Sequence, residues 1–307
     1  MLKILFNRGM KKFLLALCLF FTAGQVFAQN TQASLSYTGA SHLSQIKASF
    51  QQAITLNASV GLTAKYADEE AFKNPVYAAY VPVVLGGDFL SLHITPFYYF
   101  KNKLSADLRD ANGRSLKDTY AFGVSALVFI TMQQDDFNAL YSNAYLGASF
   151  ARSQGTLLFD NGNLANQYYS QAAFSAGLHQ NFYRFISFEL AGTLFQYPNG
   201  ITGVDGFYSV MDQQDLAYMY SFDLVHQLPK YTLAARATRL WTDRLATIYL
   251  AYRFGEFYDT DSQHSFLLGN TFALNEHIQA DLGYNHLRTV HNQNKRDIFY
   301  VKLSTKF

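Results

Sequence analysis

Cysteine is almost missing from this chain of 307 residues: the one thiol, Cys18, lies in the N-terminal segment. That excludes a disulfide scaffold, a thiol nucleophile and a zinc–thiolate site from everything downstream. Charge is scarce too, at 15% of residues against about 25% in an average soluble chain. Tryptophan occurs once and proline five times. After residue 28 no apolar run approaches the ~20 residues that a membrane-crossing helix needs. What the chain has instead is rings, 22 Tyr and 28 Phe. Few charges, many rings and no crossing helix fit a protein whose greasy residues are spread over alternate positions of many strands.

The first 28 residues read as a cleavable export signal. Lys3, Arg8, Lys11 and Lys12 give a positive start, Phe13 to Phe21 is a short apolar core, and Val26-Phe27-Ala28 ends on a small residue suited to cleavage. Removing this segment leaves 20 basic against 22 acidic side chains, so the apparent basicity belongs to the signal. Nothing in the charge balance points to a nucleic-acid partner.

Beyond the signal, residues 29–45 are polar and rich in small residues, and read as a periplasmic lead-in or a plug. From 46 onward period-2 alternation dominates. Ile46, Ala48, Phe50, Ile54, Leu56, Ala58, Val60, Leu62, Ala64 and Tyr66 share one parity, which predicts one long strand. Further strands are predicted near 76–85, 89–106, 118–131, 137–151, 167–181, 185–197, 216–228, 231–255, 263–273, 277–288 and 297–307. Their connections alternate short and long, the long ones crowded with Gly, Asn and Asp. In 231–255 the apolar parity switches, which is assigned to a bulge near Trp241 to Leu245 rather than a turn. Pro82 and Pro96 are expected to force local bulges. Rings at strand ends (Tyr66, Tyr77, Phe97 to Phe100, Tyr197, Tyr231, Trp241, Tyr258, Tyr284) are assigned in part to the membrane–water interface. The count is twelve strands; fourteen is the alternative, with residues 33–50 supplying the extra one.

The chain closes on Phe299-Tyr300-Val301-Lys302-Leu303-Ser304-Thr305-Lys306-Phe307, greasy at every second position. An export signal, paired amphipathic strands and this terminal aromatic strand resemble the Gram-negative outer-membrane β-barrel proteins over the whole mature length. The resemblance implies an all-β, antiparallel up-and-down barrel over 46–307, set in outer-membrane lipid with both termini in the periplasm. It also implies that Phe299, Val301, Leu303 and Phe307 are read by the barrel-assembly machinery. The catalytic His-Ser-Asn run of the twelve-stranded phospholipases in this class is absent, because no histidine here is followed by Ser-Asn.

If the greasy faces point to lipid, the opposite parity lines the interior. That assigns Lys65, His93, Lys101, Tyr141, Asn143, His179, Glu189, Asp223, Arg236, Arg253, Asp281 and Lys302 to the lumen. A two-residue turn at Pro229-Lys230 would set Asp223 opposite Arg236 as an ion pair. Asp259, Asp261 and His264 offer too few carboxylates for a hard cation, so no metal or cofactor is expected. The apolar residues of 198–215 are expected to fold over the mouth or meet a partner. No nucleophile, base and orienting group emerge as a set, so no enzyme is expected. The reading is a narrow channel for passive uptake of small polar solutes; the alternatives are a structural, adhesive or secretion-associated barrel and, third, a lipid-acting enzyme.

Overall fold

A computed structural model of the chain describes residues 31–40, 43–69, 75–103, 115–135, 140–159, 161–182, 185–198, 200, 228–241, 246–258, 261–290 and 295–306. The strands are β1 (Thr31–Ala40), β2 (Leu43–Thr55), β3 (Ala58–Glu69), β4 (Val76–Tyr80), β5 (Val83–Gly86), β6 (Leu90–Lys103), β7 (Ser115–Asp135) and β8 (Leu140–Leu158). They continue as β9 (Leu164–Phe182), β10 (Ile186–Gln196), β11 (Pro229–Trp241), β12 (Ala246–Phe257), β13 (Gln263–Ala273), β14 (Ile278–Thr289) and β15 (Lys295–Lys306). Each pairs antiparallel with its neighbours, and β1 pairs with β15 from Gln32↔Lys306 to Gly39↔Phe299, which closes the sheet on itself. A closed wall leaves no backbone donor or acceptor facing hydrocarbon, which is the condition for strands to cross a bilayer.

β4 and β5 are two halves of one wall strand, both lying between β3 and β6, so the barrel has fourteen strands. The break falls at Val81–Pro82, where proline lacks the ladder donor. Pro82 still accepts from Gly61 N–H (2.7 Å), and Val81 donates to the Pro96 carbonyl (3.0 Å). The register continues across the break, and Pro96 pairs with Val124 in step. Neither proline produces the bulge expected of it. Irregularities fall instead at Ala53/Thr55, Tyr99/Asn102, Leu116/Asp118, Thr131/Gln133 and Pro229/Tyr231.

Three further readings are corrected. Residues 31–40, read as lead-in or plug, form β1 and belong to the wall. The single strand 46–66 is the β2–β3 hairpin, with Ile46 opposite Tyr66. The 231–255 segment is the β11–β12 hairpin, with Arg236 opposite Ala251, and β10 pairs directly with β11 without a strand from 216–228 between them. The 216–228 segment, up to residue 227, and residues 201–215 of the proposed mouth loop lie outside the described residues.

One rim then carries the connections 56–57, 87–89, 136–139, 183–185, 242–245 and 274–277; the other carries 70–75, 104–114, 159–163, 197–228, 258–262 and 290–294, with 41–42 as its short exception. We call these the short and long rims. β1 starts and β15 ends at the short rim. Its turns have local causes: Asn275 Oδ1 accepts from the N–H groups of His277 (2.8 Å) and Ile278 (2.7 Å), an Asx turn that reverses the chain. At Gly86 φ is +139°, and a Cβ there would run into the Leu90 carbonyl.

Alternation sorts the side chains. Leu146, Leu190, Leu250 and Phe174 stand exposed on the outside, each more than half accessible, as lipid-facing residues must be in the absence of lipid. Outer rings gather toward the rims: Tyr66 on Tyr77 (5.6 Å), Tyr98 on Phe100 (5.2 Å) and Tyr284 on Phe299 (5.3 Å) toward the long one, Phe182 on Phe188 (5.9 Å) toward the short one. Of the rings assigned to the interface, Phe97 and Tyr99 instead point inward and are buried. β7, β8 and β9 run for 21, 19 and 19 residues, about twice the 9–11 that a crossing needs. Toward their long-rim ends the outer positions turn polar, where Arg152 lies over the Tyr168 ring (3.8 Å) and Tyr120 donates to Gln154. There the wall has left the lipid.

Candidate functional site: the barrel interior

Directly opposed residues on paired strands face the same side, so the register assigns every interior position. Asn143 on β8, His179 on β9, Glu189 on β10 and Arg236 on β11 follow one another across the wall as a single inward row. Asp281 on β14, Lys302 on β15, Ser36 on β1, Lys47 on β2 and Lys65 on β3 form a second.

Tyr249 joins the two rows. Its ring lies under the Arg236 guanidinium (4.9 Å), and its hydroxyl donates to Asp281 Oδ1 (2.7 Å). Arg236 also reaches Glu189 Oε2 (3.7 Å) and donates from Nε to Thr238 Oγ1 (3.1 Å). Gly269 makes room for this arrangement, since a Cβ there would strike the Tyr249 ring. The ion pair lies well inside the wall, with the two side chains 13% and 19% accessible, so it constrains geometry more than an exposed pair would. Replacing Tyr249 by Phe leaves the Asp281 carboxylate without that donor and should cost about 1–3 kcal/mol. The check is the urea midpoint of the refolded barrel in micelles; an unmoved midpoint would mean that Tyr249 and Asp281 contribute independently.

Toward the long rim the interior of β3–β9 is aromatic. Tyr80 and Tyr99 share a hydrogen bond between their hydroxyls (2.8 Å), with Phe97 against both (6.2 Å) and Ala78, Ala121, Ala151 and Tyr169 in the same cluster. Lys47 lies over Tyr80 (5.5 Å) and Lys65 over Tyr99 (5.6 Å). Toward the short rim the interior is polar on the side of β1, β2 and β15, where a vestibule of about 570 Å³ opens between Gln32, Ser34, Ser49, Gln51, Lys302 and Ser304.

Of the remaining lumen assignments, Tyr141 faces inward opposite Asn181, and His93 faces inward against Phe129 (4.6 Å). Arg253 faces inward and is 1% exposed. Lys101 does not line the interior: the Tyr99/Asn102 irregularity turns Asn102 inward in its place, and the Lys101 amine, 60% accessible, reaches Asp118 (3.1 Å). Asp223 lies outside the described residues; the acid opposite Arg236 is Glu189. Asp259 lies outside them too, and His264 faces outward, bonded to the Tyr252 hydroxyl (2.7 Å). Lys47 and Tyr249 were missed, although each has inward parity in the sequence. On β15, Phe299, Val301 and Leu303 face outward, and Phe307 lies outside the described residues.

No protein-family model matches the chain, and no curated protein does. Solved structures do. The monoaromatic hydrocarbon channel CymD aligns over 92% of this chain and 90% of its own, at 8% identity and a TM-score of 0.50. The toluene transporter TodX of Pseudomonas putida aligns over 91% and 89%, at 9% identity and 0.51. This is the fold of the outer-membrane β-barrels. CdiB from Acinetobacter baumannii, at 10% identity and 0.51, shares it too, with 90% of this chain covering 60% of that longer one. At such identities the likeness of this barrel to its neighbours is one of fold.

Proposed function

We propose that this barrel is a narrow conduit for small solutes across the outer membrane, with the long connections outside and the short rim in the periplasm. The observation that carries this is the interior: a polar vestibule at the short rim leads to two side-chain rows joined through Tyr249. A barrel kept only as an anchor has no need of hydrogen-bonded charge along its axis. Fourteen strands lie between the small barrels filled by their own side chains and the wide porins, a width at which a partly lined passage remains. Two barrels of the same fold are named as a channel and a transporter, which accords with this reading. Phe299, Val301 and Leu303, turned toward lipid, suit the strand as the segment read by the assembly machinery before insertion.

Single-channel recording tests the proposal. The purified protein in planar bilayers should give discrete steps of low conductance, and Arg236→Ala should change their size or stability by opening the Glu189–Arg236–Tyr249 tie. Silent bilayers would remove the conduit. A second reading, an interaction platform, is favoured by one observation: β7–β9 rise beyond the length needed to cross lipid. It predicts that shortening these strands at the 159–163 connection abolishes partner binding while leaving any conductance intact.

A further inference from the structure

The register sorts the wall of the short-rim vestibule into two rows. Ser304 on β15, Ser34 on β1, Ser49 on β2 and Thr63 on β3 oppose one another in turn and face inward, so hydroxyls cross the wall on adjacent strands without a break. Gln279 on β14, opposite Ser304, extends that row at one end. Closer to the mouth, Gln32 and Gln51 are opposed in a second row, of amides. Neighbouring groups then stand about 4.8 Å apart across the strands and about 6.6 Å apart along them. All of them line the same cavity of about 570 Å³. That size falls within the ~300–1,000 Å³ of ordinary small-molecule sites.

These groups have hydrogen bonds to give. Among the described residues, the hydroxyls of Ser34 and Ser304 and the amides of Gln32 and Gln279 engage in no side-chain hydrogen bond. Thr63 donates to the Ser49 hydroxyl (3.0 Å), which leaves Ser49 its own proton to donate. Gln51 Nε2 donates to Ser59 (2.6 Å), which leaves its carbonyl oxygen to accept. Hydroxyls and amides both donate and accept, as the hydroxyls of a sugar do, and the strand spacing is close to the separation of alternate hydroxyls on a sugar ring. The apolar ring of Pro82 lines the same space beside Gly61 on β3, where a Cβ would lie 3.0 Å from it. It offers a surface for the C–H face of such a ring. The charged lining residues are of both signs, Lys302 and Lys306 with Glu276, so hydrogen bonding rather than charge sets what the cavity holds.

Building on the conduit reading, we propose that the vestibule is a binding site for neutral polyhydroxylated solutes of the size of a monosaccharide or disaccharide. The Ser304–Ser34–Ser49–Thr63 row and the Gln32–Gln51 pair exchange hydrogen bonds with the edge of the solute, and Pro82 meets its apolar face.

Saturation-transfer NMR on the full-length barrel in deuterated micelles tests this, with methyl α-glucoside as the probe. The glucoside should receive magnetisation from the wild type and saturate it. Ser34→Val with Ser49→Val removes two opposed hydroxyls while keeping residues that suit a strand, and should raise the dissociation constant at least about fivefold. Ser34→Thr, which keeps the hydroxyl, should leave it unchanged. Sodium glucuronate, a similar ring carrying a carboxylate, should bind no more tightly than the glucoside. Retained heat-modifiability on gels shows that each variant has folded. No transfer in the wild type, the same constant in the double variant, or a tighter hold on glucuronate overturns the proposal. Planar bilayers test the conduit separately. If they stay silent while the double variant loses the glucoside, the conduit falls and the site stands; conductance steps without that loss keep the conduit and remove the site.

Discussion

Deleting residues 31–40 should prevent the barrel from forming. β1 is bonded on both sides, with ten register pairs to β2 and eight to β15. Without it two strand edges face each other across a gap one strand wide, and unpaired backbone groups would meet hydrocarbon at several kcal/mol each. A thirteen-strand wall would also send the two chain ends to opposite rims. The expected result is no heat-modifiable, protease-resistant form after refolding, and no insertion when the variant is expressed with its export signal. A variant that inserted normally would return residues 31–40 to the lead-in that their composition suggested.

Leu250→Arg should be the most damaging single substitution. Leu250 lies midway along β12, points outward and is 60% exposed in the absence of lipid. Arginine at the bilayer midplane costs about 2–4 kcal/mol, falling toward zero near the interfaces. Thr247→Arg, three residues earlier on the inner face, should cost far less, because its charge meets the water-lined interior. Urea titrations of both proteins refolded into the same vesicles measure the difference. A lower midpoint for Thr247→Arg would mean that the inner and outer faces are assigned the wrong way round, and equal midpoints that Leu250 does not face hydrocarbon.

The inner and outer faces were legible in the sequence; the turns were less so, and the register explains which ones hid. In the β2–β3 hairpin opposed residues share the same parity, Ile46 with Tyr66 and Lys47 with Lys65. Greasy positions therefore stay even through the turn, and Leu56-Asn57, with neither Gly nor Pro, gives no local sign of a reversal. Two strands read as one. In the β11–β12 hairpin opposed residues differ in parity, Arg236 with Ala251, so the pattern changes at the turn. That change is visible in the sequence, but a bulge accounts for it as well as a turn does, and a turn there conflicts with the alternation of long and short connections once 216–228 is read as a strand. The alternation survives because β10 pairs directly with β11, so no further strand stands between them in the wall.

The interior was legible to the same extent. Parity alone put Asn143, His179, Glu189, Arg236, Asp281, Lys302 and Lys65 on the inside. It could not say that the first four share one row and the last three another, because that depends on the sum of residue numbers in each pair. Lys101 was misplaced by a single-residue irregularity that alternation cannot reveal. The bridging role of Tyr249 depends on Gly269 on the neighbouring strand, a relation between two residues far apart in the chain.

The meeting of β1 and β15 has a consequence for how the chain is threaded. Gln32 lies opposite Lys306 in the same ladder that joins every other neighbour. The finished cylinder therefore does not register which of its seams lacks a covalent link. A permuted version, tied across that seam and opened at 56–57 instead, would present the same staves in the same circular order. What the natural order decides is timing: the first and last staves are the two that must wait longest to find each other.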